Sequence, residues 1–417
     1  MVSVLDQCLF TGTNFLVSVV AGRFGGRDTL GQYALAFSVL VIAIGIQRAL
    51  LMSPMVIVRG RMDDRELSAM RFAIAAATLA LGTIGAAGAA GVIAATGVLP
   101  TMWIVVFAMA FPAALLRDFT RRLAIYQFNL RSAVIMDGLI AAVQIVTLVG
   151  LIQMDWVRAD VLLGSAAVVW GGVCGGALWF TRGQYRFAPA SIVPVIKQLW
   201  PIGRWVSLSA VVATTQAFVM PWVMAAAATI QLAGVYAACW TIVQMVSPLI
   251  EGLGNLIGPS LADQAERKSW SGLRRSVMGN TVLFGVIMTL LLIGLWCFGR
   301  PILLALYGDD FAGFTGVLLV LALAATANNL GIPVLKALVQ LGHAKMNFLI
   351  SIVSLSVSLS LSWWLLRAVG PSGAAWGLVV GNAGGTAVRW WQFLSLEPVV
   401  LSAAESSYGH PATSAGS

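Results

Sequence analysis

The sequence predicts an all-α integral membrane protein that crosses the bilayer about twelve times. Three observations predict it. The 417 residues are 59% hydrophobic and only 10% charged, against about 25% charged in a water-soluble domain. Apolar runs of about 20 residues recur from end to end, each long enough to cross roughly 30 Å of hydrocarbon as a helix. The short segments of alternating polarity that a transmembrane barrel needs are missing. Helices are therefore required, because backbone N–H and C=O groups in lipid must find their partners inside the protein.

In order, the first span covers 3–22 and contains Asp6 and Asn14. It lacks a basic start and runs on into a second apolar stretch, so it is read as a retained helix and not as a cleaved leader. A loop with Arg23 and Arg27 leads to span 32–58, which holds Gln47 and Arg48 and is expected to kink at Pro54. A basic loop with Arg59, Arg61, Arg65 and Arg71 precedes spans 72–97 and 100–116, and another with Arg117, Arg121, Arg122 and Arg131 precedes span 132–152, which holds Asp137. Arg158 separates this from span 161–180, and Arg182, Arg186, Lys197 and Arg204 lead into span 202–226. Span 231–257 holds Glu251 and is followed by Arg267, Lys268, Arg274 and Arg275. Span 276–298, a short loop with Arg300 and span 313–335 lead to Lys336 and Lys345. Spans 348–366 and 375–396, separated by Arg367, complete the set, with Arg389 inside the last.

Alternate loops carry most of the lysine and arginine, and the richer side is cytoplasmic by the positive-inside rule. Both termini then lie in the cytoplasm, as an even number of spans also demands. The net charge of +9 is explained by this bias and implies no nucleic-acid partner. Three parts are expected: residues 1–200, residues 201–396, and a polar tail of 397–417 rich in Ser and Ala. The halves repeat weakly. Leu30-Gly31-Gln32-Tyr33-Ala34 returns as Ala233-Gly234-Val235-Tyr236-Ala237, 203 residues later, and the same step carries Arg71 onto Arg274. Arg122 and Arg131 are matched by Lys336 and Lys345 with a step of 214. Repeats with an even number of spans are parallel, and a substrate path would run between them.

Ionisable groups within the membrane are costly, about 2.5–3.5 kcal/mol or more at a helix centre, so they head the candidate site residues. Arg48 has no oppositely charged neighbour in Ile44-Gly45-Ile46-Gln47-Arg48-Ala49-Leu50. It needs a carboxylate such as Asp6 or Asp137, backbone carbonyls, the cytoplasmic interface or an anionic ligand. Asp137 is read as an arginine partner or a proton-coupling group. Arg389, followed by Trp390 and Trp391, is read as an interface anchor. Gln144, Gln216, Gln244, Asn328 and Asn382 suit hydrogen bonding between helices. The glycine runs Gly171-Gly172 with Gly175-Gly176, and Gly381 with Gly384-Gly385, suit close helix approach.

Enzyme motifs are missing: no P-loop, no G-x-S-x-G elbow and no H-E-x-x-H. Cys8, Cys174, Cys239 and Cys297 are far apart in apolar runs and read as core residues, and His343 and His410 are the only histidines. Neither a metal nor a cofactor is expected.

Several stretches carry a family resemblance. They are Ala21-Gly22-Arg23-Phe24-Gly25 with Leu30-Gly31-Gln32-Tyr33-Ala34-Leu35-Ala36, then Leu306-Tyr307-Gly308-Asp309-Asp310-Phe311, Leu341-Gly342-His343-Ala344-Lys345 and Val369-Gly370-Pro371-Ser372-Gly373-Ala374-Ala375. In order and spacing the chain resembles polysaccharide-biosynthesis flippases of the O-antigen type, in the multidrug/oligosaccharidyl-lipid/polysaccharide transporter superfamily. The resemblance implies a V-shaped transporter of two six-helix bundles with a central cavity, in a bacterial cytoplasmic membrane. Its substrate would be a polyprenyl-pyrophosphate-linked oligosaccharide, flipped to the outer leaflet without covalent chemistry. Polysaccharide polymerases or glycosyltransferases would be partners, beside membrane lipids. Arg48, Arg204 and Arg23 could then meet the pyrophosphate, with Asp137, Asn14 and Gln47 as further cavity candidates. The chain departs from the family in starting almost at its first span, which implies a shortened lead. The competing readings are a drug/cation antiporter of the same superfamily, which would favour acidic cavity residues, and a membrane glycosyl polymerase or ligase, which would need a sizeable outward loop.

Overall fold

The computed structural model describes residues 2–52, 55, 63–96, 100–127, 130–185, 187–188, 192–266 and 270–396. Pro54, Arg59, Arg61, Arg186, Arg267, Lys268 and the tail 397–417 lie outside them, as do the side chains of Asp6 and Cys8. Almost every described residue is helical and none is in a strand.

The first helix, α1 (Val2–Gln47), contains two arms joined at Gly26, whose φ of 77° and ψ of −177° belong to a region open in practice only to glycine. The turn brings Leu30 back against Gly22, so spans expected at 3–22 and 32–58 are neighbours in one continuous hairpin. A π-helical stretch, Arg48–Met52, follows. Next come α2 (Asp64–Thr96), α3 (Met102–Tyr126), α4 (Leu130–Gln153) and α5 (Ala159–Phe180). The second half holds α6 (Ile192–Phe218), α7 (Met220–Ala227), α8 (Ile230–Val243), α9 (Ser247–Glu266) and α10 (Trp270–Tyr307). It continues with α11 (Asp309–Ala312), α12 (Thr315–Asn329), α13 (Ile332–Gln340), α14 (Ala344–Val369) and α15 (Pro371–Ser395).

Among the described residues nine helices are long and apolar enough to cross a membrane, or ten if α6 and α7, bent by 40°, form one span. Thr11–Met52 is one of the nine although it contains both arms of α1. Their outer faces suit lipid: Ile135, Val146, Trp296 and Trp364 are large, apolar and exposed. Cys297, expected in the core, is exposed as well.

Several boundaries differ from expectation for physical reasons. α2 starts at Asp64, ahead of the apolar run, because Asp63 and Glu66 form a capping box: Glu66 N–H donates to the Asp63 carboxylate at 2.6 Å, and Asp63 N–H to that of Glu66 at 3.2 Å. α10 runs on through Arg300 and Pro301 to Tyr307, so most of the expected outward loop is helix. α3 continues ten residues past Leu116, carrying Arg117, Arg121 and Arg122 inside the fold and out of the loop assigned to them. The span expected at 313–335 is broken between α12 and α13.

The glycines of the resemblance stretches turn corners. Gly308, Gly342 and Gly370 all have positive φ, at 95°, 84° and 82°, each at the join between two helices. The runs at Gly172, Gly175 and Gly176 have open space where a side chain would grow, so they do not serve close approach. The close approach is on α15, where Gly373, Gly377, Gly381 and Gly385 recur every fourth residue against α14. Opposite them lie buried serines. Ser354 Oγ donates to the Gly381 carbonyl at 2.7 Å and Ser362 Oγ to that of Ala374 at 2.8 Å. Gln216 Nε2 on α6 donates to Ser358 Oγ and to Asn382 Oδ1, both at 2.8 Å, tying a third helix to the seam. Small residues and hydrogen bonds replace the hydrophobic effect where lipid is the solvent. Gly381→Ala, whose methyl group would collide with Ser358, is expected to cost about 1–3 kcal/mol, and an unchanged melting curve in detergent would refute the seam.

Arg389 on α15 is buried, not placed at the interface. Its Nε donates to Asn347 Oδ1 at 2.9 Å and its Nη2 to Ser351 Oγ at 3.0 Å. The exposed neighbour is Trp391.

Candidate functional site

A cavity of about 470 Å³ lies between the two halves of the chain. Its first wall comes from both arms of α1, the π stretch, α3 and α5, and its second from α6 to α9. The two walls correspond through the 203-residue step seen in the sequence. Thr11 and Thr214, Phe15 and Phe218, Tyr33 and Tyr236, Phe37 and Trp240, Ile44 and Ser247, and Arg48 and Glu251 all line it, one of each pair from each half. The repeat therefore extends through the cavity lining, with one member of each pair on each wall.

One end of the cavity, nearest the Gly26 turn, is sealed by contacts between the halves. The Cα of Gly31 lies against the Ile230 carbonyl, and that of Gly234 against the Arg27 carbonyl, with no room for a side chain at either. These two contacts are themselves related by the 203-residue step. Arg23 adds a third: its Nη1 donates to the Leu304 carbonyl at 2.8 Å, near the C-terminal end of α10, where a cation meets the negative end of the helix dipole. Ser18 completes the seal with contacts of 3.2 Å to the hydroxyls of Tyr307 and Thr241.

Toward the other end the lining is charged. The guanidinium of Arg48 grips Asp118 on α3, with Nη2 at 2.6 Å from Oδ1 and Nε at 3.1 Å from Oδ2. Arg122, one turn on, shares that carboxylate at 3.0 Å. Asp118 is 2% exposed and Arg48 35%, so the pair has one member inside the wall and one reaching the cavity. The π stretch beginning at Arg48 widens the backbone there, and such bulges are frequent at functional sites. Just behind, Arg121 Nε donates to Asp137 Oδ2 at 2.7 Å and Arg117 Nη2 lies 3.9 Å from Oδ1. Arg117 also stacks over the Trp170 ring at 5.2 Å. Among the described residues the first wall and the layer behind it thus hold four guanidinium groups against two carboxylates. The cavity lining itself holds Arg48 and Arg117 with Asp118 and Glu251.

Of the residues picked from sequence, the structure brings Arg48 and Asn14 to the cavity. Asp137 is buried behind the wall with Arg121 and Arg117 and does not pair with Arg48. Gln47 is also buried, donating to Thr78 Oγ1 at 3.1 Å and to the Leu115 carbonyl at 3.0 Å, a helix-to-helix link. Arg23 belongs to the seal. Arg204 is exposed outside the lining, over the Trp205 ring at 5.3 Å. The residue that sequence reasoning missed is Asp118, which lies two residues past the expected end of span 100–116. Its spacing to Arg122, one helical turn, was the available signal.

No family model matches the chain, and no curated protein matches it. Solved structures do. One described as the inward-facing conformation of a multidrug resistance MATE family transporter of the MOP superfamily has a TM-score of 0.76 at 15% identity, covering 95% of this chain and 96% of that one. The outward-facing conformation of a transporter so described gives 0.63 at 13% identity, over 96% and 95%. A MOP superfamily transporter from Pyrococcus furiosus, described as having a binding pocket of reverse polarity, gives 0.67 at 13% identity, over 96% and 94%. The chain has the fold of these transporters.

Proposed function

We propose that this protein is a flippase that carries a polyprenyl-pyrophosphate-linked oligosaccharide across a bacterial cytoplasmic membrane by alternating access, without enzyme chemistry. The observation that carries this is the partly exposed Arg48 guanidinium at the cavity wall. Arg48 reaches the cavity from a carboxylate it already shares with Arg122, so a phosphate can bind it without leaving Asp118 unpaired. A bidentate guanidinium suits phosphate oxygens better than a lysine would. Arg48 and Asn14 are the proposed contacts, while Arg23, Arg204, Gln47 and Asp137 serve the seal, the surface and the scaffold. Twelve crossings in two bundles, 1–200 and 201–396, with both termini and the tail 397–417 cytoplasmic, complete the proposal. In that topology the sealed end faces outward and the structure is an inward-facing state, in keeping with the higher TM-score to the inward-facing transporter. Polymerases or glycosyltransferases of the same pathway would be neighbours in the membrane.

A drug/cation antiporter is the second reading, favoured by Glu251, which lines the wall opposite Arg48. Deleting the gene separates the two. A flippase predicts lipid-linked oligosaccharide accumulating in the inner leaflet with loss of surface polysaccharide; an antiporter predicts unchanged polysaccharide and greater sensitivity to cationic drugs. Arg48→Gln should lower export about ten- to a hundredfold, the worth of one hydrogen bond to a charged group. Normal export by a well-expressed variant would remove Arg48 from the mechanism.

A further inference from the structure

A buried arginine needs a counter-charge, because a lone cation in a low-dielectric interior is costly. Among the described residues three arginines are buried: Arg117, Arg121 and Arg389. The first two share Asp137. Arg389 has no carboxylate among the described residues, and its partners, Asn347 Oδ1 and Ser351 Oγ, are both neutral. The helices around it have none to offer. From Phe311 to Leu396, which takes in α12 to α15, the sequence contains no Asp or Glu. Nor does α6, which packs against α14.

One side of this guanidinium is free. Nε and Nη2 are engaged by α14, while Nη1 has no partner among the described residues and is not sealed from solvent. Gly385, one turn earlier on α15, has no side chain to cover Nη1; a Cβ there would lie 3.6 Å from it. Arg389 as a whole is 8% exposed. Its surroundings are positive as well. Asn347 stands in the first turn of α14, at the positive end of that helix dipole. Lys345 and Arg204 lie over the Trp205 ring at 5.7 and 5.3 Å, and that ring packs on Phe348, the neighbour of Asn347.

We propose that Arg389 is an anion site for a phosphate-bearing group, set in the second half and apart from the cavity, which it does not line. A phosphate accepts charge-assisted hydrogen bonds from the free guanidinium N–H groups, stronger than those made to neutral Asn347 and Ser351. Arg389 is six residues, about 9 Å, from the end of α15 at Ser395, and exposed Trp391 and Leu394 flank the same end. Two sources bring phosphate there, a lipid headgroup and inorganic phosphate from the aqueous side. Either supplies the missing counter-charge and fastens α15 to α14 where the glycine–serine seam runs out. The site needs no transported substrate, so it stands independently of the flippase reading.

The full chain in dodecyl maltoside, a detergent without phosphate or charge, is melted with phosphatidylglycerol and with a diacylglycerol of the same chains. It is also melted in sodium phosphate against sodium chloride of equal ionic strength. Wild type should gain about 3 °C or more from a phosphate-bearing addition, and nothing from diacylglycerol or chloride. A gain from phosphatidylglycerol alone assigns the site to a lipid headgroup, and a gain from sodium phosphate assigns it to inorganic phosphate. Asn347→Asp, nearly isosteric, puts a carboxylate where Oδ1 now lies 2.9 Å from Arg389 Nε. It should melt above wild type without additions and lose the gain. Arg389→Gln should lose the gain as well, and Arg48→Gln should keep it. If Arg389→Gln does not fold, Asn347→Asp carries the test by itself. No gain in wild type, a gain that survives Asn347→Asp, or a gain lost in Arg48→Gln overturns the site.

Discussion

Asp118→Asn is expected to abolish transport and to destabilise the protein by about 3–5 kcal/mol, the cost of leaving a buried charge without its partner. The carboxylate is 2% exposed and accepts from two guanidinium groups, Arg48 and Arg122. Arg48 is partly open to the cavity and Arg122 partly to its surroundings, which places the expected loss toward the lower figure. Removing Arg48 as well should restore much of the stability, because only Arg122, partly open to its surroundings, is then left without the carboxylate, but should not restore transport. Melting temperature in detergent and export in cells read these separately. A stable, active Asp118→Asn protein would show that Arg48 does not depend on this carboxylate. Recovery of transport in the Arg48→Gln/Asp118→Asn double variant would remove phosphate recognition from Arg48.

Gly31→Val is expected to stop transport with the chain still folded and inserted. The new side chain would meet the Ile230 carbonyl, so the end of the cavity near Gly26 could no longer close. Overpacking of this kind costs about 1–3 kcal/mol, and moving a two-state equilibrium from mostly closed to mostly open takes about 5.5 kcal/mol. Gly31→Val joined with Gly234→Val, at the matching contact with the Arg27 carbonyl, approaches that figure, and the double variant should be trapped open at this end. Spin labels at Asp28 and Thr229, both exposed near the seam, should shift to longer distances. Unchanged distances and export in the double variant would mean that the seam is not a gate.

The helical class, the hairpin signature near Gly31 and the two-half repeat were all legible in the sequence, since they depend on apolar length and local residue pattern. The resemblance glycines were legible as well, because a left-handed turn leaves few substitutes for Gly308, Gly342 and Gly370. The charged wall was not. A hydropathy reading ends a span where charges begin, here at 116 before Arg117 and Asp118. The rule fails when a helix carries its own counter-charges into the fold, as Asp118 and Arg122 do. The repeat held more than was taken from it: pursued past five residues, its step of 203 leads from Arg48 to Glu251 and from Phe37 to Trp240. Arg389 was misread because only its tryptophan neighbours were weighed, while its partners Asn347 and Ser351 lie on the preceding helix.

The serine–glycine seam between α14 and α15 joins helices separated by a single residue, Gly370. The seam at Gly31 and Gly234 joins segments some two hundred residues apart. Closing a short loop costs little chain entropy and closing a long one costs more, so the two seams belong to different moments in the life of the chain. The last hairpin can zip as it leaves the ribosome, needing nothing but itself. The first wall of the cavity has to wait, with its arginines already paired to Asp118 and Asp137, until α8 is synthesised. Those ion pairs let a half-made chain rest in the bilayer with its charges covered before there is anything for it to carry.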